Sequence, residues 1–190
     1  GDTNTASWPS VLPNVLSVGG TSLSICPSRN ESTWNCAGSG YSASSDMPSY
    51  QIEHIRSFDK SNDRLNRIIP DVSLVANPST GVFVIYNGRI TVTGGTSVSA
   101  PLMAGILSIA NQIRFNEGKD ALSTVETSHN NIQRYLYKSL DNRSIYNTIF
   151  NDVTIGSNQG SSEHNSNILE SFDTGKGYDI PTGLGSPNAI

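Results

Sequence analysis

The sequence predicts an α/β domain, because short β-rich apolar runs alternate with segments of helical periodicity. Two observations carry this prediction. The first is a pair of β-rich runs around Asn87-Gly88, and the second is a long helical pattern that begins near Ser97, directly after Gly94-Gly95. The composition agrees with a folded domain, since 35% of the residues are hydrophobic.

The first half of the chain contains two predicted strands. Residues 14–18 form a short apolar run that leads into Gly19-Gly20, which we interpret as a turn. Residues 70–76 form a second apolar strand. Between them, residues 24–51 are polar and are expected to form a loop, and residues 51–67 are charged, lack clean periodicity and are expected to form a surface excursion.

The strongest local patterns lie in the middle of the chain. Residues 82–86 and 89–93 flank Asn87-Gly88, which is the signature of a hairpin with a type I′ turn. A helix is predicted from Ser97 to Asn116, with an apolar face made of Leu102, Met103, Ile106, Leu107, Ile109, Ala110 and Ile113. A second helix is predicted over residues 131–140, and the glycine-rich tail over 155–187 is expected to be loop-like.

Length and charge exclude several classes of function. The chain has 190 residues, which fits one domain, and a formal net charge of −4. An acidic balance argues against nucleic acid as a partner, because phosphates are neutralised by basic surfaces. No apolar run approaches the roughly 20 residues that a membrane-spanning helix needs, so no membrane partner is predicted.

The two cysteines indicate the compartment. Cys26 and Cys36 enclose a short polar loop, and that loop contains the glycosylation sequon at Asn30; a second sequon begins at Asn142. This combination favours a secreted or lysosomal glycoprotein with a Cys26–Cys36 disulfide, which would contribute about 3 kcal/mol by loop closure.

One motif carries chemistry, the octet Gly94-Gly95-Thr96-Ser97-Val98-Ser99-Ala100-Pro101. It places Ser97 at a turn between a strand and a helix, where its oxygen is accessible and the helix N-terminus favours developing negative charge. A simpler interpretation is that the hydroxyls cap the helix. The complete octet ahead of an apolar helix favours a nucleophile.

The octet resembles the serine-containing signature shared by subtilisins and sedolisins, the serine-carboxyl peptidases. Further segments are similar to sedolisins in the same order along the chain: Gly1-Asp2, residues 15–23, Pro70-Asp71-Val72-Ser73, residues 150–158 and residues 175–187. The chain is therefore identified as the C-terminal part of a single sedolisin-type peptidase domain, spanning residues 1–190. The fold that the resemblance implies is a subtilisin-like three-layer α/β/α arrangement with a mostly parallel sheet, incomplete in this chain.

The resemblance assigns two catalytic residues, with Ser97 as the nucleophile and Asp2 as the oxyanion aspartate. An ionised carboxylate only accepts hydrogen bonds, so Asp2 must be protonated to stabilise an oxyanion. We therefore expect an acid-active enzyme that hydrolyses peptide bonds of peptide or protein substrates through an acyl-enzyme. The structural alternative for Asp2 is a frayed terminal residue.

The resemblance also implies one calcium ion, bound within residues 150–187. Its ligands would be the Asp152 and Asp179 side chains and the backbone carbonyls of Val153, Gly175 and Gly177. Such an oxygen shell suits Ca²⁺. Each aspartate could alternatively cap its own loop. The histidines, His54, His129 and His164, lie in unrelated contexts and predict no transition-metal site.

The glutamate base of the family, and the aspartate that orients it, lie upstream of the segment that this sequence matches. We expect both on an N-terminal chain of the same precursor, with the glutamate within hydrogen-bond reach of Ser97. A histidine in that place, or Ser97 facing solvent in the assembled enzyme, would contradict this. The alternatives are a subtilisin-type Ser-His-Asp protease and a catalytically inactive, calcium-stabilised binding paralogue.

The chain departs from the family pattern in several places, and two of them concern substrate: Val75 and Asn77 replace acids that could line a pocket, and a stretch along the cleft differs. A glycine-rich stretch that lines the family's substrate cleft reads here Ala37-Gly38-Ser39-Gly40-Tyr41-Ser42. The shape of the subsites, and the choice between internal cleavage and removal of short N-terminal peptides, are not specified by these motifs.

Overall fold

The computed structural model describes residues 1–3, 5–55, 65–158 and 171–188. The strands are β1 (Val18–Ser24), β2 (Asn30–Thr33), β3 (Gly40–Asp46), β4 (Asn66–Ile69), β5 (Val72–Val75), β6 (Val82–Tyr86), β7 (Arg89–Thr93), β8 (Phe150–Asn151) and β9 (Ser186–Pro187). The helices are α1 (Ser49–Ile55), α2 (Thr96–Asn116), α3 (Ile132–Lys138) and α4 (Arg143–Ile149), with 3₁₀ turns at Pro78–Thr80 and Ser139–Asp141.

The central sheet has three strands in the order β2-β1-β5. Strands β1 and β5 run parallel, with Val18 opposite Val72, whereas β2 is antiparallel to β1. The remaining strand pairs, β3–β4, β6–β7 and β8–β9, are antiparallel. The α/β class is confirmed, but within the described ranges the sheet is small and β1–β5 is its parallel strand pair.

Strand β1 starts later than the sequence predicts, and it includes Gly19 and Gly20. Neither glycine has a positive φ, so the predicted glycine turn is wrong. A side chain at Gly20 would come within 2.6 Å of the Ala76 side chain, and one at Gly19 within 2.5 Å of Ser73 Oγ. The two glycines are therefore required by close packing along the strand.

The expected loop over 24–51 contains β2, β3 and the start of α1. The predicted surface excursion over 51–67 is also wrong at both ends, because Gln51 and Arg67 are fully buried. Residues 56–64 of that segment lie outside the described residues. Polar side chains are buried here because long-range hydrogen bonds satisfy them, as when Gln51 accepts from the Ile68 amide at 3.0 Å and donates to its carbonyl at 2.7 Å.

Arg67 forms a bidentate ion pair with Asp71, with both side chains completely buried. The Asp71 carboxylate also accepts from the Ser17 amide at 2.7 Å and from the Tyr137 hydroxyl at 2.8 Å. Four donors thus saturate the carboxylate, which offsets the cost of burying its charge. The main apolar core surrounds this pair and includes Tyr50, Ile68, Val72, Met103, Tyr137, Phe150, Tyr178 and Leu184.

The hairpin β6–β7 is confirmed. Asn87 and Gly88 have φ values of 49° and 71°, as a type I′ turn requires, and Tyr86 pairs with Arg89. Its side chains are largely exposed, with Phe83 at 78% and Ile85 at 80%.

Helix α2 is confirmed within one residue of its predicted start, and it packs on β1 and β5. Of its predicted apolar face, Met103 is buried, whereas Ile109 is 61% and Ile113 is 55% exposed. Helix α3 lies inside the predicted second helix, and Asn131 caps it by accepting a hydrogen bond from the Arg134 amide.

The predicted disulfide is wrong, because Cys26 and Cys36 are free thiols. The register of the β1–β2 hairpin separates them. Ser24 pairs with Asn30 near the turn, and Thr21 pairs with Thr33 farther along, so Cys36 continues away from the turn while Cys26 lies within it. The paired stretch between them spans three residues, about 10 Å at about 3.3 Å per strand residue, and a disulfide allows a Cα separation of roughly 7 Å.

Candidate active site

The turn that carries Ser97 is fixed by the end of β5. The Gly95 amide donates to the Ala76 carbonyl at 2.5 Å, and a side chain at Gly94 would come within 2.5 Å of that carbonyl oxygen. Gly95 has φ 90°, a conformation that favours glycine, and helix α2 begins at the next residue. Ser97 is consequently an exposed residue in the first turn of a long helix.

Asp2 lies at this same turn, although 94 residues separate it from Thr96 in the chain. Its Oδ1 accepts hydrogen bonds from the Thr96 amide at 2.8 Å and from the Thr96 hydroxyl at 2.6 Å. Its Oδ2 lies 2.7 Å from the position that a Gly95 side chain would occupy. The structure therefore brings Asp2 and Ser97 to one helix N-terminus, and Asp2 is held there rather than frayed.

Residues 37–42, the stretch expected to line a substrate cleft, contact the loop that carries Asp2. Residues 37–40 are buried, and the Gly38 amide donates to the Gly1 carbonyl at 2.9 Å. A side chain at Gly38 would come within 2.6 Å of the Thr5 carbonyl oxygen and 2.7 Å of that of Thr3. This stretch therefore supports the loop that carries Asp2.

The residues expected at the calcium site converge around the end of β8. Asp152 accepts hydrogen bonds from the Gly177 amide at 3.0 and 3.1 Å, and Asp179 accepts from the Gly175 amide at 3.0 Å. The Tyr146 hydroxyl donates to Asp152 Oδ1 at 3.1 Å and lies 3.3 Å from the Gly177 carbonyl. Val153, which follows Asp152, is buried.

Charge at this cluster is unbalanced. Burial, helped by the negative charge of Asp152, raises the pKa of Asp179 to about 6, although hydrogen bonds from Gly175 and Thr182 act to lower it. Arg143 compensates Asp152 alone, through an ion pair of 2.8 Å with Oδ2. Two acidic side chains beside glycine carbonyls, one of them largely buried, fit a hard cation.

The described part of the chain holds no group of three or more His, Cys, Asp or Glu side chains that could bind a metal. Any cation at Asp152 and Asp179 would thus depend on backbone carbonyls for its remaining ligands. His54 lies 3.0 Å from Asp141 and His129 lies 3.7 Å from Asp120, both away from Ser97. His164 lies outside the described residues.

Sequence reasoning missed the roles of two residues. Thr96 lies inside the octet, where the local sequence indicates only a possible helix cap, and the resemblance places Gly38 in a cleft wall. No local pattern identifies either one, because both act on Asp2, which is distant in sequence. The expected contact between a glutamate and Ser97 stays a prediction.

No helix among the described residues is long and apolar enough to cross a membrane.

Comparison with known proteins identifies the family to which the chain belongs. The model of the subtilase family matches residues 1–167. Kumamolisin from Bacillus sp. (strain MN-32) is 33% identical over 96% of the chain, and sedolisin from Pseudomonas sp. (strain 101) is 29% identical over 98%. Tripeptidyl-peptidase 1 from Rattus norvegicus is 32% identical over 96%.

The chain spans 31%, 29% and 31% of the lengths of these three relatives, respectively. A solved structure of Pseudomonas sedolisin, a serine-carboxyl proteinase complexed with two molecules of pseudo-iodotyrostatin, superposes with a TM-score of 0.68 at 27% identity. That match covers 95% of this chain and 45% of the solved one. The fold is therefore the subtilisin-like α/β fold, and the chain belongs to the sedolisin family of serine-carboxyl peptidases.

Proposed function

We propose that this chain forms the C-terminal part of the catalytic domain of an acid-active serine-carboxyl peptidase. The observation that carries the proposal is the position of the Asp2 carboxylate, which accepts two hydrogen bonds from Thr96 at the turn that presents Ser97. A nucleophile and an oxyanion donor must lie on either side of one carbonyl group, and this turn offers both.

In the proposed reaction Ser97 Oγ attacks the carbonyl carbon of the scissile peptide bond. Its proton passes to a glutamate, which an aspartate orients, and both are supplied by an N-terminal chain of the same precursor. The carbonyl π electrons move to oxygen, and protonated Asp2 donates a hydrogen bond to the resulting oxyanion. Collapse expels the amine, which takes the proton from the glutamic acid. Water then attacks the carbonyl carbon of the acyl-enzyme and gives its proton to the glutamate. Collapse expels Ser97 Oγ, which takes that proton back.

Two features of the structure support this sequence of events. Ser97 is exposed in the first turn of α2, where the helix dipole stabilises negative charge near the carbonyl. The exposed apolar side chains of α2, including Ile109 and Ile113, are what a covering N-terminal segment would bury.

The need for acid follows from the chemistry of Asp2. An ionised carboxylate has no proton to donate, and its negative charge would repel the oxyanion. The protonated form supplies the donor that an asparagine supplies at the matching position of subtilisins. The proposed activity therefore requires acidic conditions, in keeping with a secreted or lysosomal location. The exposure of both sequon asparagines, Asn30 and Asn142, is compatible with that location.

We also propose one calcium ion at the C-terminal cluster. Its ligands would be the Asp152 and Asp179 carboxylates and the carbonyls of Val153, Gly175 and Gly177. When bound, calcium supplies charge neutralisation and a cross-link between the two segments. Because the Tyr146 hydroxyl and the Gly177 amide donate to Asp152 Oδ1 and Arg143 pairs with Oδ2, calcium would replace one of these donors at the carboxylate.

The test is labelling of the full-length protein at acidic pH with a serine-directed phosphonate, followed by peptide mass spectrometry. We expect the label on Ser97, loss of labelling at neutral pH, and none in Ser97→Ala, with Ser99→Ala as the matched control that keeps the label. Absence of label at every pH would establish the inactive paralogue. Labelling that is strongest at neutral pH, and that is lost on replacing an upstream histidine, would establish the subtilisin-type protease. Product analysis on a peptide separates internal cleavage from removal of tripeptides.

A further inference from the structure

We propose that Thr96 is a positioning residue that decides which oxygen of Asp2 carries the catalytic proton. This inference rests on the proposed function. The Thr96 amide and hydroxyl both donate to Oδ1, at 2.8 and 2.6 Å. In the neutral acid the oxygen that accepts two hydrogen bonds is the carbonyl oxygen, because a hydroxyl oxygen is the poorer acceptor. The proton therefore resides on Oδ2.

The position of Oδ2 makes this assignment useful. The site of a Gly95 side chain would be 2.7 Å from Oδ2 and 3.7 Å from the Ser97 amide. Oδ2 thus points into the space beside the backbone that leads to Ser97, where the substrate carbonyl would lie. A side chain at residue 95 would fill that space, which gives Gly95 a second requirement besides its positive φ.

Thr96 is well suited to hold a carboxyl group because its own surroundings are rigid. It is 7% exposed and is the first residue of α2, and the helix has no capping side chain at Gly95. Asp2 supplies that cap from a remote part of the chain. Capping of α2 is thus the competing role of this contact, and the variants below separate capping from positioning.

The residues that flank Asp2 also pack against Gly38. The carbonyls of Gly1, Thr3 and Thr5 all lie within 3.2 Å of the place where a Gly38 side chain would be. The loop that carries Asp2 is thus pressed against residue 38 while Thr96 holds its carboxyl group. Asp2 is clamped between a backbone surface and a hydroxyl, which is the arrangement that a preorganised donor needs.

The experiment compares Thr96→Val and Thr96→Ser in the full-length enzyme, with Ser99→Ala as the control. Valine removes the hydroxyl but keeps the shape and the amide, and serine keeps the hydroxyl. Ser99 is buried in the same helical turn and donates to the Thr96 carbonyl at 3.3 Å without touching Asp2. We expect Thr96→Val to lower kcat about 10- to 100-fold with KM within threefold, by loss of one hydrogen bond to an ionisable group. Thr96→Ser should recover most of that loss.

A double-mutant cycle with Asp2→Ala gives the deciding readout. If Thr96 acts through Asp2, Thr96→Val should lower kcat less than twofold further in the Asp2→Ala background. Additive losses of kcat in the two variants would overturn the inference. It would also be overturned if the kcat loss in Thr96→Val accompanied a fall in melting temperature and Ser99→Ala reproduced both. If Asp2→Ala itself leaves kcat intact, the proposed function fails instead, so the two failures are distinguishable.

Discussion

Asp2 and Asp71 are two aspartates in opposite environments: Asp71 directly precedes β5, whereas Asp2 contacts the first residue of α2. Asp71 is completely buried, and Arg67, Ser17 and Tyr137 saturate its oxygens. Asp2 is exposed, and the hydrogen bonds that it accepts converge on one oxygen. A carboxylate that is buried with an arginine partner stabilises the fold, whereas an exposed carboxyl group whose hydrogen bonds converge on one oxygen can act on substrate with the other. The comparison predicts that changes at the two residues separate stability from catalysis.

The largest expected effect is on stability, at the buried pair. Arg67→Met should lower the free energy of unfolding by about 3–5 kcal/mol, because it leaves the Asp71 charge buried without its partner. Urea denaturation measures this, and kcat of the folded fraction should be unchanged. The control is Lys119→Met, which removes an exposed pair with Glu117 and should not alter the unfolding midpoint measurably. A normal midpoint for Arg67→Met would show that the pair contributes little.

The next effect is on catalysis, at Asp2. Asp2→Ala should lower kcat about 10²- to 10³-fold through loss of an oxyanion donor, with only a small change in melting temperature. Asp2→Asn should retain more activity, since an amide accepts from Thr96 and donates to the oxyanion at any pH, and it should extend activity toward neutral pH. Steady-state kinetics across pH test both variants. Equal losses in the two variants would contradict a donor role.

The smallest expected effect is on thermal stability, at the calcium cluster. Its two aspartates, Asp152 and Asp179, are less exposed than Asp2 and less buried than Asp71. Chelation should lower the melting temperature of the full-length protein, and calcium at about 100 times its Kd should restore about 2.7 kcal/mol. Asp152→Asn and Asp179→Asn should abolish the response, whereas Asp141→Asn, an exposed acid in another cluster, should leave it intact. A calcium response that survives both substitutions would place the ion elsewhere.

Local patterns predicted the parts of the structure that depend on neighbouring residues. The Asn87-Gly88 turn and the α2 helix after Gly94-Gly95 follow from backbone preferences and periodicity, and both are confirmed. The octet also identified the turn at which Asp2 is found. These features need no knowledge of distant contacts.

The predictions that the structure contradicts concern residues whose positions depend on contacts with distant parts of the sequence. Arg67 and Gln51 look like surface residues until their partners across the sheet are known. Gly19 and Gly20 look like a turn until the packing against Ser73 and Ala76 is known. The disulfide failed because the register of β1 and β2, and not the spacing of the two cysteines, sets their separation.

Strand β5 has a consequence for how this chain can change in length during evolution. At one end the Asp71 carbonyl accepts from Leu184, and just beyond the other end the Ala76 carbonyl accepts from Gly95. One inserted or deleted residue between them would turn every following side chain of the strand to the opposite face and shift the nucleophile turn relative to the C-terminal segment. Residues 82–93, an exposed hairpin, carry no such constraint. Length variation among homologues should therefore collect in the hairpin and spare residues 71–76.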